Sequence, residues 1–156
     1  MRRPIKKRYT AGPDSVYNSV KVTKLINYVM ESGKKSTARA IVYNALDEIK
    51  NKEKDADPIE IFETAIRNTE PAMEVRSRRV GGANYQVPRE VRPERRLALS
   101  LRWIVGAAKS GKGKPMHRKL AEELILASKG EGEAVKKREN VEKMADANKA
   151  FAHFAW

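Results

Sequence analysis

The stretch MEVRSRRVGGANYQVP, residues 73–88, decides how the rest of the chain is read. Across it the hydrophobic period is two, and helix formers give way to Val, Tyr and Arg. Gly81 and Gly82 supply the positive φ angles of a tight reversal, so the spacing predicts a two-stranded β-hairpin over residues 72–91. Two registers compete. A two-residue turn at Gly81-Gly82 puts Arg76 and Arg78 on one face with Val87 and Tyr85. A three-residue loop, Val80-Gly81-Gly82, instead groups Met73 and Val75 with Tyr85 and Val87 and leaves Arg76 and Arg78 with Asn84 and Gln86. The second register is the expectation, because it yields one face for packing and one for cationic contacts. Strands of this length make an arm of about 25 Å, and a lone two-stranded ribbon is marginal in water. Its base should pack on the remainder of the chain while its tip stays mobile.

On both sides of the hairpin the period is 3.6. Val22, Leu25, Ile26, Val29 and Met30 predict a first helix over residues 19–32, stopped at Gly33. Ala38, Ile41, Val42, Ala45, Leu46 and Ile49 predict a second, running out in the charged residues 50–55. Asp57-Pro58-Ile59-Glu60 orders an N-cap, a first-turn proline and a capping-box glutamate ahead of a third helix that buries Phe62, Ala65 and Ile66 and ends before Pro71. Pro93 opens a fourth, with Leu97, Leu101, Ile104, Val105 and Ala108 inward. Pro115 and Met116 open a fifth, carrying Leu120, Leu124 and Ala127 to Gly130. A sixth follows Gly132 and carries Val141, Met144, Ala145 and Asn148 toward Phe151, Phe154 and Trp156. The expected fold is mainly α: a bundle of about six helices with one protruding hairpin between the third and fourth. The 156 residues suit a single domain, with residues 1–13 as a flexible basic arm and 148–156 as a tail.

Charge limits what such a domain can do. With 33 Lys and Arg against 20 Asp and Glu, the formal net charge is +13. An excess of that size repels itself unless a polyanion neutralises it, which points to nucleic acid. The membrane alternative fails, because no apolar run reaches the roughly 18 residues of a spanning helix and the cations do not line one amphipathic helix. The basic N-terminus lacks the apolar core of a secretory signal. There are no cysteines and only two histidines, His117 and His153, without metal-ligand spacing. Gly111-Lys112-Gly113-Lys114-Pro115 lacks phosphate-loop spacing and reads as a loop, and Glu122-Glu123 reads as a solvated helix face. No cofactor, metal or enzymatic mechanism is expected.

Between residues 72 and 96 every cation is an arginine: Arg76, Arg78, Arg79, Arg89, Arg92, Arg95 and Arg96. A solvated face tolerates lysine equally well, whereas the planar guanidinium binds phosphate bidentately and stacks on bases. Tyr85, Asn84 and Gln86 interleave with these arginines, which fits a nucleic-acid contact better than an edge ribbon kept soluble by charge. Further basic groups are Arg2, Arg3, Lys6, Lys7 and Arg8, Lys34-Lys35, the loop region with Lys112, Lys114 and Arg118, and Lys136-Lys137-Arg138. Each alone is more often a solvated surface than a site. An architectural DNA binder is the competing class, but it normally carries an apolar wedge near its arm tip, and Val80-Gly81-Gly82-Ala83 is a small one. An RNA-modifying enzyme is disfavoured by the missing cofactor motif and acid-base constellation.

Three longer runs are specific enough to name a family. Residues 73–88, residues 134–156 (AVKKRENVEKMADANKAFAHFAW) and residues 32–46 (SGKKSTARAIVYNAL) resemble the small-subunit ribosomal protein seven family in its bacterial form. The resemblance covers nearly the whole chain from Asp14 onward. It implies a helical domain with a protruding ribbon that binds the 3′ major domain of 16S ribosomal RNA and nucleates assembly of the subunit head. The RNA-facing surfaces would be the N-terminal arm, Lys34-Lys35, the hairpin arginines and the start of the fourth helix. The tip, with Arg78, Arg79, Gly81, Gly82, Asn84 and Tyr85, would approach messenger RNA and transfer RNA at the exit site. The C-terminal segment, with His153 and Trp156, would lie near that transfer RNA and ribosomal protein eleven, with ribosomal protein nine a further neighbour. No homo-oligomer and no membrane partner are implied, and the expected location is the cytoplasmic ribosome, or an organelle matrix. The ending F-A-W stands where Y-R-W is commoner in the family, removing one basic residue.

Overall fold

The computed structural model describes residues 11–53 and 56–154. Six α-helices, a hairpin and a terminal 3-10 helix follow in the order α1 (Val20–Val29), α2 (Lys35–Lys52), α3 (Pro58–Thr69), β1 (Met73–Val80), β2 (Ala83–Glu90), α4 (Pro93–Ser110), α5 (Met116–Ser128), α6 (Glu133–Ala147) and the 3-10 segment Lys149–Phe154. The expected architecture is therefore present, with the hairpin between α3 and α4. Arm residues 1–10, among them Arg2, Arg3, Lys6, Lys7 and Arg8, and the terminal Trp156 lie outside the described residues.

The core follows the helical stripes. Val22, Leu25, Ile26 and Val29 of α1 meet Ala38, Val42, Ala45, Leu46 and Ile49 of α2 and Phe62, Ala65 and Ile66 of α3. Helix α5 runs through the middle, packed against α2, α3 and α4, with Leu120, Ala121, Leu124 and Ala127 fully buried. Its alanines keep neighbouring backbones close, while Leu120 and Leu124 fill the volume between them. Local signals act as read: the Asp57 carboxylate accepts the Ile59 N–H at 3.0 Å and Pro58 occupies the first turn of α3. Helix α1 ends at Val29, short of residue 32, because Met30 already turns to extended backbone at ψ of 132°; Ser32 and Gly33 then follow at left-handed φ of 50° and 74°. Inside the core, the Thr69 hydroxyl bonds the Ala65 carbonyl at 2.8 Å and also meets the Ser100 hydroxyl, so α3 and α4 share a satisfied polar contact. Asp14 fixes the chain's entry: its buried carboxylate accepts the Tyr43 hydroxyl at 2.8 Å and the N–H groups of Val16 and Tyr17.

Two expectations about α5 and α6 need correction. Glu123 does not lie on a solvated face; it is buried and accepts the Ala134 N–H at 2.9 Å, capping α6 from a neighbouring helix. A Cβ on Gly132 would stand 2.9 Å from the same carboxylate oxygen, and Gly132 has φ of 98°, so that position suits glycine alone. On α6, Met144 points outward, 52% exposed, and Ala145 takes the inward position.

The hairpin adopts the register that was not favoured. Val80 pairs with Ala83, Arg78 with Tyr85, Arg76 with Val87 and Glu74 with Arg89, leaving Gly81 and Gly82 as a two-residue turn. Their φ angles of 58° and 91° are the pair of positive values a type I′ turn requires, and the twist of that turn matches the twist of the strands. Arg76 and Arg78 consequently share a face with Val87 and Tyr85. Segregating polar from apolar residues was the wrong criterion, since an arginine stem can lie along an apolar neighbour while its head reaches a partner. Both strands pack on α6, and β2 also packs on the 3-10 segment.

Two outcomes follow. Gly82→Ala should weaken the hairpin by about 1–2 kcal/mol, read as faster amide exchange across β1 and β2 with the helices unchanged. Burial pushes the Glu123 carboxyl above the usual carboxylate range, more than the Ala134 N–H pulls it down. A raised folded-state value stabilises the fold below the unfolded value of about 4.3 and loses that contribution as pH climbs through the folded value. Glu123→Gln should therefore gain in stability relative to the parent from acid to neutral pH, as urea unfolding at a series of pH values would measure.

Candidate nucleic-acid interface

The arginines gather where the hairpin meets α4. Glu74, buried in β1, is the hub: one carboxylate oxygen accepts Arg76 Nε at 3.2 Å and the other accepts Arg95 Nε at 2.6 Å. Arg96 donates through Nε to the Val91 carbonyl at 2.8 Å. Arg89, opposite Glu74 in the ladder, and Arg92, at the N-cap of α4, are exposed. No side chain caps this helix end, and cations crowd it, against the positive end of the helix dipole. An arriving anion would relieve both.

Toward the tip, the hairpin is tied to the end of the chain. Tyr85 lies between Phe151 and Phe154, with ring centroids 5.3 and 5.1 Å away, and Arg78 donates to the Phe154 carbonyl at 2.9 Å. His153 is exposed and stacks against Phe154 at 3.9 Å between centroids. Gly81, Gly82, Asn84 and Arg79, which faces Asn84 across the ladder, are exposed beyond this clasp.

A second basic group surrounds the α1–α2 turn and the α4–α5 loop. Lys34 and Lys109 line one cavity of about 390 Å³ floored by Val29, Ala38, Ile41 and Met116, and Lys109 is held by Glu31. Lys35 opens α2, Lys112 and Lys114 follow the end of α4, and Lys114 pairs with Glu122 at 2.6 Å. Arg118 stands 3.8 Å from Glu48, which also faces His117 and Lys52. Lys136, Lys137 and Arg138 occupy a third place, the first turns of α6. There Lys136 pairs with Glu133, and the largely buried Arg138 donates to the Asn68 carbonyl at 2.8 Å, closing the C-terminus of α3.

Helix α4 joins the first two groups, and its surface holds a residue that segment-by-segment reading passed over. Arg95, Arg102 and Lys109 recur at intervals of seven and are all exposed, so they form a near-straight stripe of about 21 Å. Arg102 makes no ion pair among the described residues. The seven-residue spacing is the signal in the chain that carries this stripe.

This helical scaffold, with a basic ribbon and a cationic strut, has the character of a polyanion-binding structural protein. Among the described residues there is no cluster able to hold a metal ion, and no helix is long and apolar enough to cross a membrane. Residues 1–149 match the family described as "Ribosomal protein S7p/S5e". Relatives named "Small ribosomal subunit protein uS7" include one from Moorella thermoacetica, 59% identical over 92% of this chain and 91% of its own length. One from Caldanaerobacter subterraneus is 58% identical over 98% of this chain and 97% of its own length, and one from Thermotoga maritima is 53% identical over the full length of both. The chain belongs to this ribosomal protein family, and it is a structural, non-enzymatic constituent of the small ribosomal subunit.

The aromatic clasp should govern the hairpin. Replacing Phe151 and Phe154 together by alanine removes both rings from Tyr85, and amide exchange across the outer ladder should accelerate by about fivefold or more, given about 0.5–1.5 kcal/mol per aromatic pair. Exchange in α2 and α5 should not change.

Proposed function

We propose that the protein binds the 3′ major domain of 16S ribosomal RNA, nucleates assembly of the subunit head, and carries its hairpin tip to the exit site beside messenger RNA and the departing transfer RNA. The observation that supports this most strongly is the α4 strut, with arginines at one end, lysines at the other and Arg95, Arg102 and Lys109 along its exposed side. Separate groups on one rigid helix can hold separate RNA strands at a fixed distance, which is what an assembly nucleus must do. The arginines at the hairpin base anchor ribosomal RNA, while Arg79, Gly81, Gly82 and Asn84, exposed beyond the clasp, reach toward the moving RNAs. Phe151 and Phe154 lie against Tyr85 near that tip, Arg78 holds the Phe154 carbonyl, and His153 stacks on Phe154. Ribosomal protein eleven is the neighbour proposed beside the C-terminal segment and ribosomal protein nine a further one, within the ribosome of the cytoplasm or of an organelle matrix.

Binding should be steeply salt-dependent. If about eight cations meet phosphates, affinity for a 3′-domain RNA fragment falls by roughly three to five decades between 50 and 200 mM salt. Arg102→Ala should weaken binding and reduce the slope of log affinity against log salt by about one. Equal affinity for the fragment and for duplex DNA of the same charge would favour the architectural DNA-binding reading and overturn this one. Arg79→Ala should leave subunit assembly intact while altering exit-site contacts; assembly failing as badly as on loss of the protein would make the tip an assembly element instead.

A further inference from the structure

Every cation of the hairpin and of the start of α4 is an arginine, and a carboxylate sits buried among them. On a face that binds a polyanion, a negative charge repels the ligand and should weaken binding. Glu74 nevertheless occupies the middle of this face, paired at once with a neighbour in its own strand and with Arg95, 21 residues further along on α4.

We infer that Glu74 is a positioning residue for RNA binding: by holding Arg76 and Arg95 through their Nε atoms, it presents both guanidinium forks, Nη atoms outward, to phosphate. This rests on the reading that the hairpin base binds ribosomal RNA. The geometry is specific. Both hydrogen bonds use Nε, so the Nη pair of each arginine remains for a bidentate contact, and the side chains are 54% and 45% exposed while that of Glu74 is 10% exposed. The carboxylate has two oxygens and gives one to each arginine, which fixes the spacing and direction of the two forks relative to each other. Arg96, fastened by Nε to the Val91 carbonyl, shows the same mode of attachment without a carboxylate. A lysine could not serve here. Its single ammonium, once committed to Glu74, would have no planar pair of donors left to offer, which accounts for arginine at positions 76 and 95 better than charge does. Each arginine brings considerable rotamer freedom, and holding both in advance removes an entropic cost from binding.

The sign of the effect distinguishes positioning from charge balance. If Glu74 only dampens repulsion, Glu74→Ala removes a negative charge from the RNA face and raises affinity for a 3′-domain RNA fragment. If it positions the arginines, the same substitution lowers affinity, by roughly fivefold or more, the scale set by two mobile arginine side chains. Glu74→Gln, which keeps the volume and one acceptor oxygen, should fall between the parent and alanine, and it carries the test should the alanine variant not fold. The decisive control is the background Arg76→Ala with Arg95→Ala. There, Glu74→Ala should no longer reduce affinity, because nothing remains to be positioned. Unchanged or increased affinity on Glu74→Ala in the parent overturns the inference, as does an equal loss in the double-arginine background, which would mark a structural role. If the arginine pair itself can be removed without any loss of RNA binding, the assignment of this face has failed instead.

Discussion

Mutual repulsion among its cations is the constraint around which this fold is arranged. A chain carrying +13 must keep its positive groups near enough to act together and yet hold them in a compact body. The arrangement uses single carboxylates as hubs. Glu74 holds Arg76 and Arg95; Glu122 meets Lys114 and Lys52; Glu48 faces Lys52, His117 and Arg118; Glu31 holds Lys109. As stability, such half-exposed pairs amount to little, about 0–1 kcal/mol each. Their effect is to decide where each cation stands before a polyanion arrives, and several of the hubs link elements distant in sequence.

That placement needs a rigid support, and the support is apolar. Helix α5 is enclosed by α2, α3 and α4, and the N-terminal end of α4 reaches the hairpin through the Arg95–Glu74 pair. The same helix thus belongs to the core on one side and to the cationic surface on the other. Leu101, Ile104, Val105 and Ala108 fix its rotation, and that rotation aims Arg95, Arg102 and Lys109 outward. Core packing and surface charge are two faces of one periodic pattern.

The helices were legible because each carries its own information: the apolar period, Asp57-Pro58 at one start, Gly33 and Gly130 near two ends. The hairpin's existence was legible from the change of period and the glycine pair. Its register was also written in that glycine pair, whose positive φ angles suit a two-residue turn, but sorting residues by polarity pointed the other way, because the partners that suit the mixed face lie beyond the ribbon: Glu74 answers to Arg95, Tyr85 to Phe151 and Phe154. Glu123 was misread for the same reason, since its partner is a backbone N–H at the start of another helix. Among the site residues, Lys34, Lys35, Arg79, Arg89 and Arg92 are exposed. Arg78 and Arg138 carry structural hydrogen bonds that charge alone could not reveal.

The clasp between tail and hairpin bears on how the molecule comes into being. Arg78 and the Phe154 carbonyl are separated by 76 positions along the chain, and three helices lie between them. During vectorial synthesis the helices α1 to α3 can begin to assemble from local contacts while the ribbon waits, paired with itself but uncovered on the face that Phe151 and Phe154 will occupy. The arm is completed only after α4, α5 and α6 have been made and the 3-10 segment behind them has emerged. Until then it is an arm of the right sequence without the backing that gives it a fixed direction.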